Sequence, residues 1–282
     1  MEKRKGYTVI TGASMGLGEA FAEACAKRGQ DLLLAALPGT GLPEVATRLR
    51  NRYGVAVEAI ETDLSTKSGQ ESFLASVLAE GRPIGLLINN VGTASNGLFD
   101  LIPLENQRLC VELNIQSTMA LTYGLIPRLA ESEGAGILTV ASLSALYPMP
   151  LFAVYAATKA FLLNWSLALR QELAPLGIKV CVLAPGGINT TAEIREKNRA
   201  QGLAGRLSCQ EPEAVAEEAL DRMPRAKGLL IPGHFNRILA FLGRFSPKNF
   251  TAAAIFKRWN KVLGSLEDNA ESRWYLRDKG AA

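Results

Sequence analysis

Tyr155 and Lys159 stand four residues apart in Tyr155-Ala156-Ala157-Thr158-Lys159, and Ser142 ends an apolar run thirteen positions before the tyrosine. On a helix, a spacing of four puts the phenol and the ammonium on one face, one turn apart. A free tyrosine titrates near pH ~10, too high for easy proton exchange at neutrality, and a neighbouring cation favours its phenolate. The pair is therefore a candidate acid/base, with Ser142 as a hydrogen-bonding group for the same substrate oxygen. Singly, each has an ordinary reading as core aromatic, solvated cation or turn cap. Their joint spacing is what points to catalysis.

A second constellation lies near the N-terminus, where Thr11-Gly12-Ala13-Ser14-Met15-Gly16-Leu17-Gly18 follows a β-branched run and leads into Glu19-Ala20-Phe21-Ala22. Glycines let the backbone approach a pyrophosphate, and a helix N-terminus offers free N–H groups and a positive dipole end. Gly12, Ser14, Met15, Gly16, Leu17 and Gly18 are the candidate contacts, at a spacing that departs from the common G-x-G-x-x-G. Asp63-Leu64 and Asn89-Asn90-Val91-Gly92 close two further apolar runs. Alone they are turn chemistry, but they fall beside the same crevice.

The elements that must position these groups alternate regularly. Strands are expected at Tyr7–Thr11, Asp31–Ala36, Ala56–Glu61, Gly85–Asn89, Gly136–Ala141, Ile178–Leu183 and Gly228–Ile231. Most are apolar on both faces, as in a parallel sheet covered by helices on each side. Helical patterns lie between them at Gly16–Arg28, Pro43–Tyr53, Thr66–Glu80, Glu105–Ala130, Tyr155–Leu173 and Pro212–Arg225. This order predicts an α/β fold with a doubly wound, Rossmann-like parallel sheet of about seven strands, whose ligand crevice lies beyond the strand carboxyl ends. One domain is expected over residues 1–232, followed by a helical C-terminal extension over 233–282.

Composition closes other routes. A single histidine, His234, excludes a histidine-based triad or an imidazole-rich zinc site, and no metal site is expected. Four scattered cysteines make neither a disulfide framework nor a C-x-x-C motif, which fits a reducing compartment. No apolar leader follows the charged Met1–Lys5, and prolines interrupt the uncharged stretch Gly134–Thr158, a poor membrane span. A cytoplasmic protein is expected.

Over about residues 5–232 the chain resembles the short-chain dehydrogenase/reductase family. The motifs are Thr11-Gly12-x-x-x-Gly16-x-Gly18, Asp63, Asn89-Asn90-Val91-Gly92, Asn114, Ser142, Tyr155-x-x-x-Lys159 and Pro185-Gly186. The resemblance implies a nicotinamide enzyme in which Tyr155 is the acid/base, Lys159 lowers its pKa and binds the nicotinamide ribose, and Ser142 positions the substrate oxygen. It further implies that Asn114 kinks its helix and holds a water linking Lys159 to solvent, and that Asp63 and the Leu64 backbone meet the adenine. The same resemblance implies that Asn90, Gly92, Pro185 and Gly186 border the cofactor and that Ile188 and Thr190 touch its carboxamide and phosphates. Val91 stands where alanine is usual. The family also implies a homodimer or homotetramer. A dinucleotide-binding sensor or scaffold on the same fold is the alternative to an enzyme.

Cofactor choice is normally written at the end of the second strand, as an acid for the 2′-hydroxyl of NAD or a base for the 2′-phosphate of NADP. Ala36 and Leu37 supply neither, and Met15 replaces a basic residue frequent in NADP-binding turns. Without a carboxylate to repel phosphate the expectation leans to NADP, with Thr40 as a donor and NAD as the alternative. Leu146, Tyr147, Met149, Leu151 and Phe152 in the loop Ala145–Ala153, together with the segment Asn189–Cys209, suggest a pocket for a lipophilic carbonyl or alcohol, with packing of the loop or a subunit contact as the alternative. The C-terminal extension more loosely resembles those of family members that reduce fatty-acyl or steroid-like ketones, which implies a substrate of 3-oxoacyl or steroid-like kind. In the extension, Phe235, Ile238, Leu239, Leu242 and Phe245 are spaced for one helix face, and Phe250, Ile255, Trp259, Val262 and Leu263 mark another helix. Six basic and no acidic residues lie between Phe235 and Leu263. The apolar face is expected to cover the active site or a second subunit, with peripheral contact to an anionic membrane as the alternative. No recognition motif for nucleic acid accompanies the charge.

Overall fold

The computed structural model describes residues 6–79, 81–190, 195, 207–243 and 245–266. Most of the predicted pocket segment between 191 and 206, Arg244, the end of the extension from 267, and the side chains of residues 258–266 lie outside this description.

Seven strands form one parallel sheet in the order β3-β2-β1-β4-β5-β6-β7. They are β1 (Tyr7–Thr11), β2 (Leu32–Ala36), β3 (Val57–Glu61), β4 (Ile84–Asn89), β5 (Gly136–Val140), β6 (Lys179–Leu183) and β7 (Leu229–Leu230). Alternate side chains enter opposite helical layers. Ile10, Leu34, Ile88, Leu138 and Cys181 pack with α1 (Gly16–Lys27), α2 (Leu42–Tyr53) and α7 (Pro212–Arg222). Val9, Leu33, Leu87, Ile137 and Val180 pack with α3 (Lys67–Leu78), α5 (Ser117–Ala130) and α6 (Ala153–Leu173). This double burial is why the strands read as near-continuous apolar runs.

The chain winds from β1 outward to β3, then returns to lay β4 on the other side of β1. That reversal opens a crevice between the carboxyl ends of β1 and β4. The helix expected over Glu105–Ala130 is divided into α4 (Leu104–Val111) and α5 by a π-helical turn at Glu112–Gln116. Such a turn inserts one extra residue and re-aims the side chains on it, here Asn114. After β7 the chain forms α8 (His234–Gly243) and α9 (Lys248–Leu266).

Candidate active site

Gly12 and Gly16 adopt φ of +66° and +58°, a left-handed conformation that side chains disfavour. At Gly18 the constraint is space, because a Cβ there would fall onto the Gly12 carbonyl oxygen. Met15 is extended and half exposed as the residue before α1, leaving the first N–H groups of the helix without a side-chain cap. This is a cradle shaped for a phosphate-bearing ligand.

β4 holds the turn in place. Thr11 Oγ1 accepts from the Asn90 and Val91 amides at 3.0 Å each, and Asn90 Nδ2 donates to the carbonyls of Thr11 at 2.9 Å and Gly12 at 3.1 Å. Asn90 thus acts on the turn itself, a role its position in a loop motif does not announce. Gly92 is needed beyond it, since a Cβ would lie 2.8 Å from Asn114 Oδ1.

Asn114 is fully buried on the π turn. Its Oδ1 accepts from the Thr93 amide at 2.8 Å, while Nδ2 donates to Thr93 O at 3.0 Å and to Thr158 Oγ1 at 2.9 Å. Thr158 in turn donates to the Tyr155 carbonyl at 2.7 Å. The kinked helix, the loop after β4 and the first turns of α6 are therefore locked together. Thr93 and Thr158 escaped sequence reasoning, because a threonine carries no chemical signal until its partner is known.

Tyr155 and Lys159 share a face of α6 as their spacing requires, with Lys159 Nζ 5.8 Å from the Tyr155 ring centroid. Nζ donates to the Val140 carbonyl at 2.9 Å. Burial lowers the Lys159 pKa to about 8 from an ordinary 10.5. The phenol differs from expectation: burial pushes it up, opposed by a hydrogen bond with the Ser142 side chain. Protein groups alone leave Tyr155 protonated, a proton donor. Ser142, two residues past the end of β5, caps the following turn by accepting from the Ser144 amide at 3.1 Å.

These groups meet in one cavity of about 600 Å³. Leu17, Asn90, Gly92, Ser142, Tyr155, Lys159, Pro185, Gly186, Ile188 and Thr190 all line it, and Tyr147, Met149, Phe152 and Leu239 give it an apolar wall. Asp63 and Leu64, after the edge strand β3, do not line it; Asp63 instead accepts from the Ser65 amide and hydroxyl at 2.9 and 2.7 Å. Thr40 is not a free donor at the β2 loop, since its hydroxyl bonds the Leu37 carbonyl at 2.7 Å. The Glu61 carboxylate reaches that loop, accepting from the Gly39 amide at 2.9 Å. Leu151, in the apolar loop, carries an uncommon φ of +68°, and its carbonyl accepts from Gly97 N at 2.8 Å.

The extension completes the wall. Tyr147 Oη donates to the Leu239 carbonyl at 2.7 Å, and buried Asn236 donates to the carbonyls of Ser208 and Pro232, both at 3.1 Å. The face of α8 that meets the body is thus Asn236, Leu239, Ala240 and Gly243, whereas Ile238, Leu242 and Phe245 of the expected covering stripe are exposed. An asparagine with buried carbonyl partners and a glycine against the Tyr147 ring decide the rotation of the helix, and hydrophobic spacing does not.

Residues 7–201 match the family model described as short chain dehydrogenase. A very-long-chain 3-oxoacyl-CoA reductase of Coprinopsis cinerea is 31% identical over 180 residues, covering 63% of this chain and 53% of that protein. The chain spans about half the length of the curated relatives it matches. A short-chain dehydrogenase from Sphingobium yanoikuyae in complex with NADPH superposes with a TM-score of 0.73 at 34% identity, covering 85% of this chain and 93% of that one. A 3-ketoacyl-(acyl-carrier-protein) reductase from Brucella melitensis complexed with NADH gives 0.69 at 27% identity, covering 81% and 96%.

Proposed function

Because the chain belongs to the short-chain dehydrogenase family, we propose that it is a nicotinamide-dependent oxidoreductase interconverting a lipophilic ketone, of 3-oxoacyl or steroid-like kind, and its secondary alcohol. The observation that carries this reading is the convergence of Tyr155, Ser142 and Lys159 on an apolar cavity that also borders the glycine turn. The cradle at Gly12, Gly16 and Gly18 fits a pyrophosphate, and Asn90, Gly92, Pro185, Gly186, Ile188 and Thr190 are the proposed further contacts. When bound, a reduced nicotinamide supplies the hydride, and its oxidised ring carries a positive charge.

In the reducing direction Ser142 holds the carbonyl oxygen and Tyr155 gives that oxygen its proton, which burial has kept on the phenol. The Lys159 ammonium then stabilises the phenolate left behind. Asn114, through Thr158, keeps α6 in register with the loop after β4. In the oxidising direction the phenolate takes the alcohol proton.

Tyr155→Phe is expected to bind nicotinamide cofactor as the parent does and to lose roughly 10²–10⁴-fold in turnover. An undiminished rate would overturn the mechanism. Tight cofactor binding without turnover of any ketone or alcohol in a broad panel would favour a dinucleotide sensor. Cofactor identity follows from parallel titration with NADPH and NADH: the absence of acid at Ala36 and Leu37 leans to NADP, and Glu61 beside the same loop works against it. A two-fold homo-oligomer is proposed on the exposed apolar side chains of Leu104, Leu109, Met119 and Tyr123 on α4 and α5.

A further inference from the structure

The helix α8 is apolar on two faces. Asn236, Leu239, Ala240 and Gly243 turn inward, with Leu239 in the cavity wall. Ile238, Phe241 and Leu242 turn outward and are 54%, 59% and 58% exposed, and Phe245, in the turn after the helix, is 75% exposed with its ring against that of Phe241. Phe250 in the first turn of α9 is likewise 69% exposed. Five large side chains so far in water need a cover, because exposed patches of this kind mark interaction surfaces.

Charge decides what covers them. Residues 235–263 hold six basic and no acidic residues. Arg237 is paired with Glu218, while Lys248 and Lys257 are exposed. A second copy joined through this face by a two-fold axis would bring basic segment against basic segment. A bilayer bearing anionic lipid satisfies both properties, since the apolar side chains enter the acyl boundary and the lysines reach phosphate headgroups. Among the described residues no helix is long and apolar enough to cross a membrane, so the contact is one of lying on the surface.

We propose that the outward face of α8 and the start of α9 dock on an anionic phospholipid surface, bringing the cavity wall that carries Leu239 against the lipid. A lipophilic substrate would then pass between bilayer and cavity beside α8; that use rests on the reductase reading, whereas the docking does not.

The test is co-sedimentation of the full chain with vesicles of phosphatidylcholine, alone or mixed with phosphatidylglycerol. Binding is expected to the mixed vesicles, to weaken at high salt, and to fall about tenfold or more in the double variant Phe241→Ser, Phe245→Ser. Lys248→Glu with Lys257→Glu is expected to remove the preference for anionic lipid. Both variants alter exposed side chains, and unchanged thermal unfolding together with unchanged turnover of a water-soluble ketone would show that they act on docking. The proposal is overturned by equal binding to both vesicle types, by binding that neither variant weakens, or by a concentration-dependent dimer that the phenylalanine variant dissolves. Vesicle binding by a chain that reduces no ketone with either cofactor would refute the reductase reading and leave the docking surface standing.

Discussion

Burial holds the Lys159 ammonium at about 8 against an ordinary 10.5, and this has one consequence for stability and another for rate. Between those values the unfolded chain binds the proton and the folded chain does not, so this group makes the protein more stable as pH rises through that window. The span corresponds to roughly 3 kcal/mol. Denaturant unfolding between pH 8 and 10 should show that rise, and Lys159→Met should remove it. Tyr155 opposes it only above its own ordinary value of 10.0, because its folded pKa is raised. For the reaction, losing the ammonium removes the charge that stabilises the phenolate, so kcat/KM for reduction is expected to fall as pH rises through about 8. Asn114 carries a different cost. Asn114→Ala would leave the Thr93 amide without its acceptor and take one bond each from the Thr93 carbonyl and the Thr158 hydroxyl, a loss of about 1–3 kcal/mol readable in thermal unfolding.

Among the elements, the glycine turn and the end of β2 are both short and open to separate tests. Gly18→Ala places a methyl against the Gly12 carbonyl, so the turn must open. The expected result is weak or absent nicotinamide binding in a fluorescence titration, with the sheet intact. Leu37→Arg places a guanidinium on an exposed position after β2. A charge-assisted bond to a 2′-phosphate should raise NADPH affinity relative to NADH by about tenfold. Much of this level was legible in the sequence, since strand ends and helix starts follow from hydrophobic period and glycine placement. The π turn within the helix expected over Glu105–Ala130 was legible only through the family resemblance at Asn114 and not through periodicity, because one inserted residue barely disturbs the apolar spacing on either side.

At the scale of the whole molecule, the extension and the sheet domain are coupled through Asn236. Its three bonds, to Ser208 O, Gln210 Oε1 and Pro232 O, tie α8 to the strip of chain that faces Gly186. Truncation after Gly233 removes that anchor and Leu239 from the cavity wall. The truncated chain is expected to unfold at lower temperature and to show a raised KM for a lipophilic ketone, measured against a small water-soluble one.

The sequence by itself determined the alternation of strand and helix, the glycine cradle, and the Tyr155–Lys159 pair with its shared face. Each depends on residues within a few turns of one another, where helix and strand periods dictate geometry. Tertiary structure decided which threonines join the site, that burial raises the Tyr155 phenol, that Thr40 spends its donor on Leu37, and which face of α8 is left in water. Those outcomes depend on partners far apart in the chain, such as Asn114 with Thr158 and Tyr147 with Leu239, and on dielectric surroundings that exist only once the layers have closed.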